Sequence, residues 1–333
     1  MIKIDIVLPW VDGNDESWRK QREYYDGQTK NEKINGEIRY RDWDNLQYIF
    51  RGIDKNMPWV NKVHLITCGH IPNWLNISCS KLNVVKHEEF IPSEFLPTFN
   101  SHVIELHMYK IRELSEHFIY FNDDIFILDQ LEPSDFFTNG SPNDMAVEIP
   151  ITSKISSNIF SHFLINNNSL INKNHLKKKV LRENFTKFYS LKYKSLLIKN
   201  FLLGHFNNFS GFYHPHLTQS FLKTTFFEVW EKEYLYLEKV SKNKFRNYID
   251  VNQYLMREWQ LVNGRFEPKN IDKLGRYFNL IDDTNKIEQY IKCKKSKIVC
   301  LNDNGHVKKF NLTKEAINAT FEEIYPQKCS FEV

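Results

Sequence analysis

Apolar residues fall at every second position at the start of the chain, Ile2, Ile4, Ile6 and Leu8, with Lys3, Asp5 and Val7 between them. That is the period of a β-strand, and Trp10-Val11-Asp12-Gly13 reads as the turn after it. Asn14 and Asp15 are capping residues and predict a helix running to about Tyr25. A second helix starts near Asp42, where Leu46, Ile49, Phe50 and Ile53 recur at i, i+3, i+4 and i+7 as one apolar stripe. Pro58 ends that region. Val63 to Thr67 and Leu82 to Val85 are apolar runs of strand length. Asn100-Ser101 predicts the cap of a helix across His102 to Ser115, with Ile104, Met108 and Ile111 on its apolar face. His102, Glu105, Tyr109 and Arg112 lie roughly opposite. Phe118 to Phe121 is the next strand, and Met145 to Ile149 a further short one.

Strands alternating with helices imply an α/β layer structure with a largely parallel sheet, and ligands in such sheets bind beyond the carboxyl ends of the strands. Asp12 and Asn122-Asp123-Asp124 each follow a strand, which places both at a shared cleft. From about Ser153 the texture changes. Residues 153 to 200 are rich in Asn and Lys with helical apolar spacing, and Gly204 to His216 is a Gly/His/aromatic loop. Glu228 to Glu238 and Asn252 to Val262 have helical spacing. Ile298-Val299-Cys300-Leu301 is a short strand ending in Asn302-Asp303-Asn304. The expected division is an α/β part over 1–150, a variable helical insertion over 151–203 and a C-terminal part over 204–333, together one unit.

Composition narrows the class. The 333 residues are 41% hydrophobic and 26% charged, as in a soluble globular protein. A net charge of +4 is too balanced for a nucleic-acid binder. Five cysteines without CxxC spacing read as reduced thiols rather than a disulfide framework or zinc site. Pro9 comes too early for a signal segment, and no apolar run reaches the ~18 residues of a membrane span, so the expected location is the cytoplasm. Basic residues cluster over Lys173 to Lys199. Lys177, Lys178 and Lys179 read as a solvated helix face, or as a surface that docks on an anionic membrane.

The strongest chemical signal is Asp123-Asp124 after Phe118-Ile119-Tyr120-Phe121. Two adjacent carboxylates repel, and a hard divalent cation, Mg²⁺ or Mn²⁺, removes that cost and bridges to diphosphate oxygens. A solvated turn is the plainer alternative. Asp303 repeats the pattern of an apolar strand ending in Asn-Asp, although Asn-Asp-Asn-Gly is also ordinary turn chemistry. Asp12 beside Trp10 suits a ribose or base, or simply a turn. His214 and His216 flank Pro215 in the loop; a neutral histidine near a hydroxyl is a candidate general base, and packing against Phe212 and Tyr213 is the alternative. Arg41, Arg51, Arg246 and Arg257 are candidates to clamp phosphate. No GxxxxGK[ST], helix-opening GxGxxG, HExxH or GxSxG pattern is present, which argues against the common NTPases, dinucleotide oxidoreductases, zincins and α/β-hydrolases.

Four blocks of sequence together resemble the Stealth family, which includes bacterial capsular polysaccharide phosphotransferases and the animal N-acetylglucosamine-1-phosphotransferase. They are Ile4 to Asp15; Arg41-Asp42 through Pro58-Trp59-Val60, Ile71 to Leu75 and Leu96 to Ser101 to Asp124; the His214-Pro215 loop through Leu222 to Phe226, Arg246, Asp250-Val251-Asn252 and Trp259-Gln260; and Cys300 to Asn304. The segment from Ser153 to Leu203 matches little. The resemblance implies a Rossmann-like, glycosyltransferase-A-like sheet with a helical insertion. It implies transfer of a sugar 1-phosphate from a nucleotide-diphosphate sugar, with a UDP-sugar favoured, to a hydroxyl of a growing polysaccharide or lipid-linked oligosaccharide. The product is a phosphodiester in a capsular or other surface polysaccharide, made in the cytoplasm at the inner face of the membrane. On that basis Asp123, Asp124 and Asp303 hold Mg²⁺ or Mn²⁺. His214, preferred over His216, takes the acceptor proton, and Arg257 or Arg246 stabilises charge. Asp12, Arg41, Asn100, Ser101 and Asn122 bind donor or acceptor. A metal-dependent glycosyltransferase attacking the anomeric carbon, or a non-catalytic carbohydrate-binding protein, would use the same frame.

Overall fold

The alternating N-terminal segment is a strand whose two sides enter two different cores, in a computed structural model that describes residues 2–26, 40–153 and 158–333. Among these residues the strands are β1 (Ile4–Pro9), β2 (Val63–Thr67), β3 (Leu82–Lys86), β4 (His117–Tyr120), β5 (Ile125–Ile127), β6 (Phe137–Thr138), β7 (Ser141–Asp144), β8 (Gln219–Leu222), β9 (Glu267–Pro268), β10 (Gly275–Asn279) and β11 (Ile298–Asn302). The main sheet has the order β3-β2-β1-β4-β8. Its first four strands are parallel, and β8 closes one edge antiparallel to β4. Ile4, Ile6 and Leu8 pack with Ile49, Phe50 and Ile53 of helix α2 (Leu46–Asn56) on one face. Val7 packs with Phe118, Tyr120 and Val229 on the other. Strands covered on both faces are buried throughout, as β2 is, and their polar side chains are paired: Asp5 accepts from Asn61 Nδ2 and Ser115 N and lies 3.2 Å from His64 Nε2.

Helix α1 (Glu16–Asp26) starts where the sequence puts its cap, with Trp18 N donating to Asp15 Oδ1 at 2.6 Å. The largely parallel α/β arrangement is as the alternation of elements implies. The junction after β4 positions the chemistry. Phe121 N still donates to Val7 O in the main sheet at 2.9 Å. The chain then crosses over Asn122-Asp123-Asp124 into β5, which pairs antiparallel with β11 in a separate three-stranded sheet, β10-β11-β5. Leu301 N donates to Asp124 O at 2.8 Å, so the end of β11 lies beside the acidic run.

Three expectations change. The helix after Asn100 is short: α3 spans Ser101–His107, a 3-10 turn covers Met108–Lys110, and the chain leaves at Ile111. Its polar face is buried rather than solvated, because residues 250–254 pack on it: His102 Nδ1 lies 3.3 Å from Asp250 Oδ2, and Gln253 N donates to Glu105 at 3.3 Å. Met145 to Ile149 pairs only at one antiparallel bridge, Glu148 with Phe212, where Tyr213 N donates to Val147 O at 2.8 Å and Ile149 N to Gly211 O at 3.0 Å, and side chains take other ladder positions. Asn200 Nδ2 donates to Ala146 O, Glu148 N donates to Asn200 Oδ1, and Tyr193 OH accepts from Ala146 N. Lys177 is not on a solvated face. Its side chain is fully buried, and Nζ donates to Glu148 Oε1 at 2.8 Å and Leu203 O at 2.7 Å.

The region called a helical insertion is helical: α4 (Ile159–Asn174), then shorter helices over Lys177–Glu183, Phe185–Phe188 and Leu197–Leu203. It packs into the body. Helix α4 lies along helix α6 (Tyr254–Val262), where Asn167 Nδ2 donates to Asn252 Oδ1 at 2.9 Å. Helix α5 (Lys223–Ser241) covers the second core, and α7 (Phe310–Ile324) covers β5 and α2.

Candidate functional site

A cleft of about 570 Å³ opens at the carboxyl ends of β1 and β4, where the two sheets meet. Its floor is acidic. Asp123 is solvent-exposed by surface area but sits inside the cleft, where desolvation by the surrounding protein, and then the Asp124 charge, push its carboxyl up to about 7. Burial also raises Asp42, with the charges of Asp44 and Asp12 adding to it. Asp124 Oδ1 is buried with no hydrogen-bond partner, and Asp303 Oδ2 is buried with only a 3.4 Å ion pair to Arg41 Nη1. Raised carboxyls on Asp123 and Asp42 and unpartnered oxygens on Asp124 and Asp303, gathered in one cleft, are an arrangement that a bound cation would stabilise.

The donors suit a hard divalent cation. Asp124, His216 and Cys300 bring ligand atoms within 4.8 Å of one another. Burial, and then the neighbouring Asp124, push the Cys300 thiol well above its ordinary range. The group thus offers a carboxylate oxygen, which suits Mg²⁺ or Mn²⁺, beside the His216 imidazole and the Cys300 sulfur. Asp123 and Asp303 line the same cleft as Asp124.

Arginines line the same cleft. Arg41, whose guanidinium lies 4.5 Å over the Phe310 ring, reaches Asp303. Arg246 donates from Nη2 to Ser101 Oγ at 2.7 Å, and both residues line the cleft. Asn122 lines it as well. Glu105 was not singled out as a site residue, yet it lines the cleft fully buried, with its carboxyl raised by burial. Trp10, Trp18, Tyr40 and Phe99 form an aromatic side wall, with the Trp18 ring 5.1 Å from Tyr40 and 5.7 Å from Phe99.

Two of the named substrate-binding residues are used elsewhere. Asn100 caps α3, accepting from His102 N, and donates to Asp250 Oδ2 at 2.8 Å and Phe245 O at 3.2 Å. It is fully buried and holds the loop that carries Arg246. Asp12 accepts from Asn14 N at 2.8 Å and organises its own turn, while its neighbour Trp10 lines the cleft.

The two loop histidines have different fates. His216 lines the cleft, with Nε2 3.5 Å from Asp124 Oδ2 and its ring 5.4 Å from Tyr277. Burial disfavours its charged form, but the hydrogen bond to Asp124 and the charges of Asp124 and Glu105 outweigh that and raise its pKa. His214 does not line the cleft. Arg257 Nη1 donates to His214 Nδ1 at 2.9 Å, and Nε2 faces Glu258 Oε1 at 2.9 Å. A guanidinium only donates, so Nδ1 is the acceptor and Nε2 carries the proton. Burial, then the Arg257 charge, hold His214 well below the ordinary range, neutral with neither nitrogen free. Arg257 is also outside the cleft lining, buried in a bidentate pair with Asp144 at 2.8 and 2.6 Å. His214 and Arg257 are thus held in a buried network behind the cleft, while His216 and Arg246 face into it.

Two family models match the chain: residues 3–30 match "Stealth protein CR1, conserved region 1" and residues 39–145 match "Stealth protein CR2, conserved region 2". The chain is 41% identical over 333 residues to the capsular polysaccharide phosphotransferase WcwK of Streptococcus pneumoniae, covering 100% of this chain and 98% of that protein. It is 37% identical to the receptor polysaccharide phosphotransferase WefC of Streptococcus gordonii, covering 99% of each. It is 40% identical to the exopolysaccharide phosphotransferase cps2G of Lactiplantibacillus plantarum, covering 99% of this chain and 96% of that one. Among solved structures, galactosyltransferase LgtC aligns over 97% of this chain and 95% of its own at 10% identity, but a TM-score of 0.41 gives that likeness no weight.

Proposed function

This chain belongs to the Stealth family, and from that premise we propose that its cleft transfers a sugar 1-phosphate from a nucleotide-diphosphate sugar to a hydroxyl of a surface polysaccharide. The chain is a phosphotransferase of capsular or exopolysaccharide synthesis. The observation that carries the site-level reading is the pair of buried carboxylate oxygens without a hydrogen-bond partner, on Asp124 and Asp303, in a cleft that Arg41 and Arg246 also line.

In this reading Asp123, Asp124 and Asp303 hold Mg²⁺ or Mn²⁺, whose charge neutralises the donor diphosphate when bound. Arg41 and Arg246 pair with phosphate oxygens, and Ser101 fixes the Arg246 guanidinium. The aromatic wall of Trp10, Trp18 and Tyr40 takes the nucleoside end. His216, rather than His214, is the general base. Once Asp124 is neutralised, the main cause of the raised His216 pKa is gone, and the neutral ring is the form that accepts a proton. His216 Nε2 takes the acceptor hydroxyl proton, and that oxygen attacks the sugar-bound phosphorus. The phosphorus–oxygen bond to the nucleotide breaks, and nucleoside monophosphate leaves with the bridging oxygen. Such a transfer needs positioning and charge stabilisation more than covalent help from the protein.

The test is to incubate the purified protein with Mg²⁺, a panel of nucleotide sugars and polysaccharide fragments, and to identify the released nucleotide. Nucleoside monophosphate, formed only with acceptor, is the expected product. Nucleoside diphosphate would instead mean attack at the anomeric carbon, and would sink the phosphotransfer step.

A further inference from the structure

Residues 184 to 227 contain no aspartate or glutamate, while lysine stands at 187, 192, 194, 199 and 223. Within this stretch the helix Leu197–Leu203 buries Leu197 and Asn200 against the body. Its other side presents Ile198 and Leu202 to solvent at 60% and 68% exposure. Leu191, before the helix, is 85% exposed and Phe206, after it, 60%. The apolar surface is continuous with the preceding helices: the Phe201 ring lies 4.9 Å from Tyr189, and Tyr189 lies 4.7 Å from Phe185, both phenylalanines being more than half exposed. Lys192, Lys194 and Lys199 are exposed beside this surface.

Exposed apolar side chains scattered singly are ordinary, but a cluster of them on a stretch of chain whose charged side chains are all basic is not. Helix α5 offers the contrast. It exposes Tyr234 and Leu235 among charges of both signs, Glu231, Lys232, Glu238 and Lys239.

We propose that the surface formed by Phe185, Leu191, Ile198, Phe201, Leu202 and Phe206 docks on an anionic phospholipid bilayer. Its apolar side chains enter the boundary between headgroups and acyl chains, and Lys192, Lys194 and Lys199 pair with lipid phosphates. Charge complementarity selects this occupant. A second copy of the chain would bring the same lysines face to face, whereas an anionic leaflet attracts them. No helix among the described residues is long and apolar enough to cross a membrane, so the contact is with the surface only.

The surface is fixed to the catalytic body, not tethered beside it. Asn200 donates to Ala146 O at 2.7 Å and Phe188 O at 2.6 Å and accepts from Glu148 N at 2.7 Å, while Lys177 donates to Leu203 O at 2.7 Å. The first helix of the same insertion reaches the cleft through Phe160 and Phe163. Docking would therefore hold the cleft at a set orientation to the membrane. The proposal stands on this surface alone and is independent of the reaction in the cleft.

The test is co-sedimentation of the full chain with vesicles of phosphatidylcholine alone and of phosphatidylcholine mixed with phosphatidylglycerol, in low and high salt, with analytical ultracentrifugation of the free protein. Partitioning onto the anionic vesicles, weakened by salt, is expected. K192E/K194E/K199E should lower it on the order of a hundredfold, and L191S/I198S/L202S at least about tenfold. The replaced side chains are exposed, and unchanged circular dichroism and melting temperature confirm that the variants fold. Equal partitioning onto both vesicle types, or partitioning unchanged in both variants, overturns the proposal. So does a dimer that L191S/I198S/L202S dissociates while the wild type ignores vesicles.

Discussion

His214 and His216 are two residues apart in one loop, yet their surroundings have little in common. His214 sits in a buried lattice of Asp144, Arg257, Glu258 and Tyr254, with both ring nitrogens committed and its ring centroid 4.2 Å from that of Tyr254. His216 faces an acidic cleft and touches Asp124. Pro215 separates them and restricts the backbone between them. One histidine anchors the loop so that the other can be presented. The same division holds for the arginines: Arg257 is spent on Asp144, Tyr213 O and His214, whereas Arg246 donates to Ser101 in the cleft wall.

The sharpest way to break this contrast is on the cleft side. Asp124→Ala should reduce nucleotide release by at least about a thousandfold, and it should abolish the rise in melting temperature that Mn²⁺ gives the wild type. An unaltered Mn²⁺ response would take Asp124 out of the metal role. His216→Ala should cost about a hundredfold to a thousandfold in kcat with the melting temperature unchanged. Full activity in that variant would remove His216 as the base.

On the buried side the effects should appear in stability first. His214→Ala leaves Arg257 and Glu258 facing a hole, at a cost of about 2–4 kcal/mol, or roughly 5 °C in a thermal melt. The residual folded enzyme should retain the Mn²⁺-induced stabilisation. If His214→Ala instead melts like the wild type and loses all turnover, the two roles are reversed.

The smallest effect is one of pH. Burial pushes the Glu258 carboxyl up to about 8 from an ordinary 4.5. Between those values the folded chain holds a proton that the unfolded chain has released. Stability from this group therefore falls as pH rises across that window. Glu258→Gln lacks the titration, so its melting curve should diverge upward from the wild type by roughly 2–4 °C between pH 5 and pH 8. Parallel pH profiles would mean that Glu258 is ionised in the fold.

The strand that ends in Asp123-Asp124 was legible because an apolar run followed at once by two carboxylates is a local pattern, and the same reasoning reached Asp303. The choice between the histidines was not local. It is made by Arg257 and Glu258, 43 and 44 residues away along the chain, and by Asp144, a further partner of Arg257. Glu105 was hidden for a related reason: a charged residue opposite an apolar helix stripe reads as solvent-facing, and only the packing of residues 250–254 buries it. Lys177 followed the same rule and failed in the same way. Asn100 shows the reverse, a cap read correctly from its type whose amide was then taken by Asp250.

The buried Lys177–Glu148 pair and the Asn200 clamp on Ala146 and Glu148 have a consequence for chimeras. Residues 159–203 resemble a detachable cassette in sequence, but half of the fastener belongs to the segment before them. Grafting that stretch from a relative without the residues corresponding to Met145–Ile149 would strand an ammonium in the interior, a loss of the kind that costs about 3–5 kcal/mol. Exchange of the region between family members should succeed only when the extended strip beneath it is moved as well.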